Sequence, residues 1–155
     1  MIKGLVAHEP PIVSILPDAA QELAFIDEVN AIYRTQGTGP AMRKFAGSMI
    51  GFDLPRQVPG DQGGANMDRF MAHEFLAISR YKPDLDLIRR NQVPVVAAAG
   101  TASADAYYAR TARYMAERLG CRYAEMPGHH LTYIFDAATF APALREILHS
   151  FQGTR

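Results

Sequence analysis

Apolar and polar residues follow two rhythms along this chain, and the switches between them mark out its elements. Leu5, Val6 and Ala7 form an unbroken apolar run within Gly4 to His8, closed by Glu9-Pro10-Pro11. Two prolines cannot continue a hydrogen-bonded ladder, so a strand is predicted to stop at about His8. Three consecutive apolar residues predict a parallel strand covered on both faces. From about Ala19 to Thr35 the period changes: Leu23, Phe25, Ile26, Val29, Ile32 and Tyr33 recur at helical spacing. Gly37-Thr38-Gly39-Pro40 predicts a break. Met42, Phe45, Ala46, Met49 and Ile50 predict a second helix, ending at Gly51. Residues 52–65 are rich in glycine and proline and read as a loop. A third helix carries Met67, Phe70, Met71, Phe75, Leu76 and Ile78, and Asp84 to Arg90 a short fourth with Leu85 and Ile88 inward.

The second half of the chain is more regular. Val93 to Gly100 is the clearest buried strand, β-branched at its start and small at its end. Ala104 to Leu119 reads as a helix capped by Gly120, Cys121 to Met126 as a third strand, and Ala137 to Phe151 as the last helix. Pro142 falls in the first turns of that helix, where it is tolerated. Strand, helix and strand here predict a right-handed crossover. The whole predicts one α/β domain over 1–155: a partial parallel sheet of about three strands with flanking helices. Residues 17–90 form a helical cap inserted between its first two strands.

Composition narrows the function classes. The 155 residues are 48% hydrophobic and 21% charged, a globular balance. Lys plus Arg equals Asp plus Glu at 16 each, so no basic excess points to nucleic acid. No apolar run approaches the roughly 18 residues of a membrane span, and the apolar run at the N-terminus is too short for a signal peptide. The lone Cys121 fits a reducing compartment, so a cytoplasmic location is expected.

The stretch with most chemistry is Pro127-Gly128-His129-His130-Leu131, which follows the third strand and delivers a histidine at a sheet edge. His130 is a candidate general base or a capped turn histidine; His129 is its neighbour. His8 and Glu9 end the first strand, and strand C-termini in parallel sheets line ligand sites. They face a cleft or anchor the cap. Phe70, Met71 and Phe75, with Met67, line an apolar substrate pocket or form core. His73-Glu74 matches the first half of an H-E-x-x-H metal site, but its fifth position is Ala77; adjacent residues such as His129 and His130 usually diverge. No metal and no cofactor are expected. Gly60 to Gly64 is not followed by the G-K-[ST] of a phosphate loop.

In order and spacing these parts resemble the C-terminal half of an α/β-hydrolase, over essentially the whole chain. Leu5 to Pro11 resembles the strand after the nucleophile helix and the turn into the cap. The helices from Ala19 to Tyr81 resemble the cap, and Val93 to Gly100 the strand before the acid-bearing loop. Met126-Pro127-Gly128-His129-His130-Leu131 resembles the family's P-G-x-H turn. The resemblance implies that His130 stands in the place of the catalytic histidine. It also implies a carboxylate partner for it, with Glu9 and Asp105 as candidates; Ser103 stands where the family commonly has aspartate. The family's G-x-S-x-G elbow has no match around Ser14, Ser48, Ser79, Ser103 or Ser150, and the oxyanion-hole loop has no counterpart.

The implied function is therefore that of a truncated hydrolase, acting on an ester or similar bond of a small-molecule substrate and weakly active or inactive alone. The alternative is a non-catalytic small-molecule-binding or dimerising protein. An open first strand predicts a homo-oligomer, or pairing with a complementing N-terminal half, and no nucleic-acid or membrane partner.

Overall fold

A computed structural model describes residues 2–51 and 64–151. Three strands, β1 (Leu5–His8), β2 (Val95–Gly100) and β3 (Arg122–Met126), form a parallel sheet in the order β1-β2-β3. Helices flank it, as the pattern of elements predicts. Leu5 sits opposite Val95, and Val96 opposite Arg122.

The two-residue rhythm of β2 explains how the sheet is sandwiched. Val95 and Ala97 pack with Met115 and Ala116 of α6 (Tyr107–Leu119), and Ala99 with Ala109 and Ala112 of the same helix. The alternate residues, Val96 and Ala98, pack with Phe140 and Ile147 of α8 (Ala137–Ser150). Alanines on both strand and helix have no bulk to hold the two apart, so α6 lies close on the sheet. Every residue of β2 is buried. β1 is covered in part on both faces, Val6 packing on the α8 side and Ala7 on the α6 side, while Leu5 is exposed. Its apolar run is real, but β2 is its one strand neighbour among the described residues.

Between β1 and β2 lies a helical layer with its own core. A 3₁₀ turn at Val13–Ile15 leads into α1 (Ala19–Gln36) and α2 (Thr38–Ala46). The break between these helices is Gly37 alone, at φ 87°; Thr38, Gly39 and Pro40 already belong to α2. Proline is tolerated in a first turn because its missing N–H has no intrahelical acceptor there. The predicted loop over 52–65 lies mostly outside the described residues, but Gly64 and Ala65 are helical, opening α3 (Gly64–Arg69). A π-helical segment (Phe70–Glu74) joins α3 to α4 (Phe75–Ser79). Its extra residue matters for packing. Residues five apart diverge by about 140° on an α-helix. Here the Phe75 N–H donates to the Phe70 carbonyl, and the two rings meet edge-on at 5.8 Å. Phe45 of α2 meets both rings. Met71 and Phe75 are buried with Val13, Leu16, Ile26, Val29 and Ala41 in the core of this layer.

After α5 (Leu85–Arg90), capped by the Asp84 carboxylate on the Leu87 N–H, the chain enters β2. Arg110 of α6 ties the helical layer to the sheet, donating to Asp18 at 2.8 Å and Glu22 at 2.7 Å. The helix containing it begins at Tyr107 rather than Ala104, since Ala104 takes φ 47° and the Ala106 N–H closes a turn on Ser103. Among the described residues no helix is long and apolar enough to cross a membrane.

Candidate functional site

All three strands run parallel, so their C-terminal ends share one edge of the sheet, and the site is built there. Glu9 follows β1 directly. Its N–H donates to the Ala98 carbonyl at 2.8 Å, extending the ladder by one residue. It then departs from strand geometry, with φ 45°. Such a conformation is uncommon for a residue bearing a Cβ and persists only where its surroundings hold it. The turn carries the side chain back over the strand ends, where it is fully buried.

A buried carboxylate must be hydrogen-bonded to be tolerated. Glu9 Oε1 accepts from the Gly100 N–H at 2.8 Å, and Oε2 lies 3.0 Å from His130 Nδ1. Glu9 therefore joins the ends of β1 and β2 to the loop after β3. Burial by itself would push its carboxyl up. The His130 contact, the neighbouring Ser103 hydroxyl, the Gly100 N–H and His8 outweigh it and hold the group below the usual glutamate value. Ser103 acts by proximity: its Oγ is buried without a hydrogen bond of ordinary geometry to any described residue. An ionised carboxylate only accepts, so His130 Nδ1 must donate. In neutral His130 the lone pair then lies on Nε2.

Two glycines deliver His130 to this point. Gly100 abuts the Gly128 carbonyl so closely that a Cβ would run into it, and that carbonyl accepts from the Ala102 N–H at 2.8 Å. Gly128 itself has φ 74°, with Thr132 against the place a Cβ would occupy. Thr132 Oγ1 accepts from the His129 N–H at 2.7 Å, pinning the turn before the short helix α7 (Thr132–Phe135). The Tyr108 ring lies 4.9 Å from that of His130, and the Tyr108 hydroxyl accepts from the Ile50 N–H at 2.9 Å. Gly51, at φ 74°, is packed against the His129 ring. The segment after α2 thus reaches the histidine turn.

His8 stands on the same side. Like Val6 it faces α8, and its ring meets Phe140 edge-on at 5.1 Å. It stacks near-parallel to the His130 ring at 6.1 Å. Burial lowers its affinity for a proton; Glu9 opposes this and His130 adds to it. His8 Nε2 is buried without a hydrogen-bond partner among the described residues. One ligand-capable atom from each of His8, Glu9 and His130 lies within 4.8 Å of the others.

Of the residues singled out in the sequence, the structure brings together His8, Glu9 and His130. It does not bring Asp105, whose side chain is 93% exposed and lies 3.4 Å from Arg113 on the outer side of α6. Of the two carboxylates left open by the sequence, Glu9 is the one that lies beside His130. Phe70, Met71 and Phe75 are not at the site: Met71 and Phe75 fill the helical-layer core and Phe70 packs against it. Tyr108 and Gly100 also stand at the site, and neither carries a sequence signal of its own. No serine is placed as a nucleophile for His130. Ser14 donates to the Tyr81 carbonyl, Ser48 to that of Phe45 and Ser150 to that of Ile147, while Ser79 and Ser103 are buried. Burial pushes the Cys121 thiol up, away from the thiolate a nucleophile needs, and Cys121 lies at the opposite end of β3. No protein-family model matches the chain, and no curated protein shows significant similarity to it.

Proposed function

We propose that this chain carries the acid–histidine part of an α/β-hydrolase-type active site, serving hydrolysis of an ester or similar bond in a small molecule. The observation that carries the reading is the 3.0 Å contact between His130 Nδ1 and the buried Glu9 carboxylate. A carboxylate on Nδ1 fixes the tautomer and stabilises the imidazolium that forms when Nε2 takes a proton. In this reading Nε2 removes the proton of a hydroxyl nucleophile as its oxygen attacks the acyl carbon. The same proton then passes to the departing alkoxide, and a water deprotonated by Nε2 attacks the acylated nucleophile, which leaves with that proton as the acid is released. The nucleophile and the oxyanion donors come from a complementing N-terminal half paired with the open side of β1. The outer edge of β1, unpaired among the described residues and with Ile2 and Leu5 exposed, offers the place for it.

Turnover of p-nitrophenyl esters tests the reading. Activity abolished by His130→Ala supports it, and activity unchanged by that substitution overturns it. Light scattering at micromolar concentration tests self-association, which a pure monomer would exclude. A second reading, a non-catalytic small-molecule-binding or dimerising protein, is favoured by the placement of the five serines, none of which is presented to His130. Absence of turnover even with a complementing N-terminal half present, together with saturable ligand binding, would decide for it.

A further inference from the structure

We infer that His8, Glu9 and His130 form a binding site for a single divalent transition-metal ion of the zinc class. Successive residues of a regular strand point to opposite faces, so His8 and Glu9 would ordinarily diverge. The φ of 45° at Glu9 removes that divergence and turns its carboxylate toward the side on which His8 and His130 stack. Two imidazoles and a carboxylate are the donor set of many zinc sites, and three protein ligands leave a fourth position for water. Ligand atoms about 2.0–2.2 Å from a tetrahedral metal lie roughly 3.3–3.6 Å from one another. The Glu9–His130 pair is already at 3.0 Å, and the whole set lies within 4.8 Å. Capture of an ion thus needs a closing shift on the order of 1 Å, within the reach of side-chain torsions.

The buried, unpartnered His8 Nε2 is the second observation. A polar atom held out of water without a partner is costly, and a metal ion would satisfy it. The ion would take the place of the proton on His130 Nδ1, and the neutral ring would carry that proton on Nε2 instead. With Nδ1 on the metal and the ring proton on Nε2, His130 has no lone pair left to act as a base, so an occupied site excludes that function. The inference stands independently of any hydrolytic role.

Isothermal titration of the chelator-stripped full chain with zinc chloride tests it. One ion per chain is expected, with binding that weakens at acidic pH, where protons compete with the metal for the imidazoles and the carboxylate. His8→Ala and His130→Ala should each weaken binding at least tenfold, while His73→Ala and His149→Ala, on exposed positions, should leave it unchanged. Cobalt should give visible absorption bands of tetrahedral intensity that zinc abolishes. No saturable binding by the unaltered chain would overturn the inference whether or not any variant folds. Binding insensitive to His8→Ala in a variant with native far-UV circular dichroism would overturn it too. Because metal binding and ester turnover are read separately, failure of one does not imply failure of the other.

Discussion

Replacing Glu9 with glutamine keeps the shape of the side chain and removes its charge, which isolates what the carboxylate does. In the native protein its two oxygens meet the Gly100 N–H at 2.8 Å and His130 Nδ1 at 3.0 Å. The glutamine oxygen can still accept from Gly100. Its NH₂ then faces His130 Nδ1, which can no longer donate and must accept, so the ring proton moves to Nε2. Two charge-assisted bonds become neutral ones, a loss of about 1 kcal/mol each. Part of this is returned because no ionised group has to be desolvated, leaving a net destabilisation of about 1 kcal/mol. Glu9→Ala should cost more, about 3–5 kcal/mol, because it leaves the Gly100 N–H unsatisfied and opens a cavity. Urea unfolding in the presence of chelator measures both, and nitrogen-15 shifts of the His130 ring report the tautomer. The pH dependence has a definite sign. A carboxyl held below its unfolded value of about 4.3 contributes stability that is present above that pH and lost as pH falls through the lower folded value. Glu9→Gln should remove that part of the acid slope. A glutamine variant with the native His130 tautomer, or with an unchanged acid slope, would refute the reasoning.

Three further outcomes follow from packing and burial. Gly100→Ala should destabilise by about 1–3 kcal/mol or more in urea unfolding, since its Cβ meets the Gly128 carbonyl, which is backbone and cannot rotate away. Phe75→Ala should cost about 3–5 kcal/mol by the same measurement, because the ring is fully buried against Phe45 and Phe70. Cys121 should react with iodoacetamide at pH 8 more slowly than a free cysteine, and protection should vanish on unfolding, because burial raises its thiol.

The layer order was legible because each element wrote its period plainly. β2 is buried at every residue, so its run from Val95 to Gly100 is apolar throughout, and α6 and α8 carry single apolar faces against it. What escaped were departures from period. The π-helical segment at Phe70–Glu74 carries a run of Phe and Met that an α-helix would present equally well, so the sequence could not separate a pocket wall from a core. The exposure of Leu5 on β1 was hidden for a related reason: an apolar strand reads the same whether or not a second strand lies beside it.

The site itself was half legible, and the division has a physical cause. His130 was readable because the glycine before its pair of histidines is a backbone requirement: Gly128 takes φ 74° and admits no Cβ. Its partner was not readable in the same way, because Asp105 and Glu9 are equally carboxylates and equally near strand ends in the chain. What separates them is the conformation of one residue. Ala104, at φ 47°, leads into a turn that leaves Asp105 out beside Arg113. Glu9, at φ 45°, turns its own carboxylate inward over Gly100. Neither position is a glycine, so neither advertises its left-handed backbone. In Glu9 that strain is held by the bonds its carboxylate makes to Gly100 and His130. Removing those acceptors should therefore relax the backbone at Glu9 as well as free the histidine. The Glu9 and Pro10 backbone chemical shifts in Glu9→Ala would register this, with a return to extended geometry at Glu9 as the expected result.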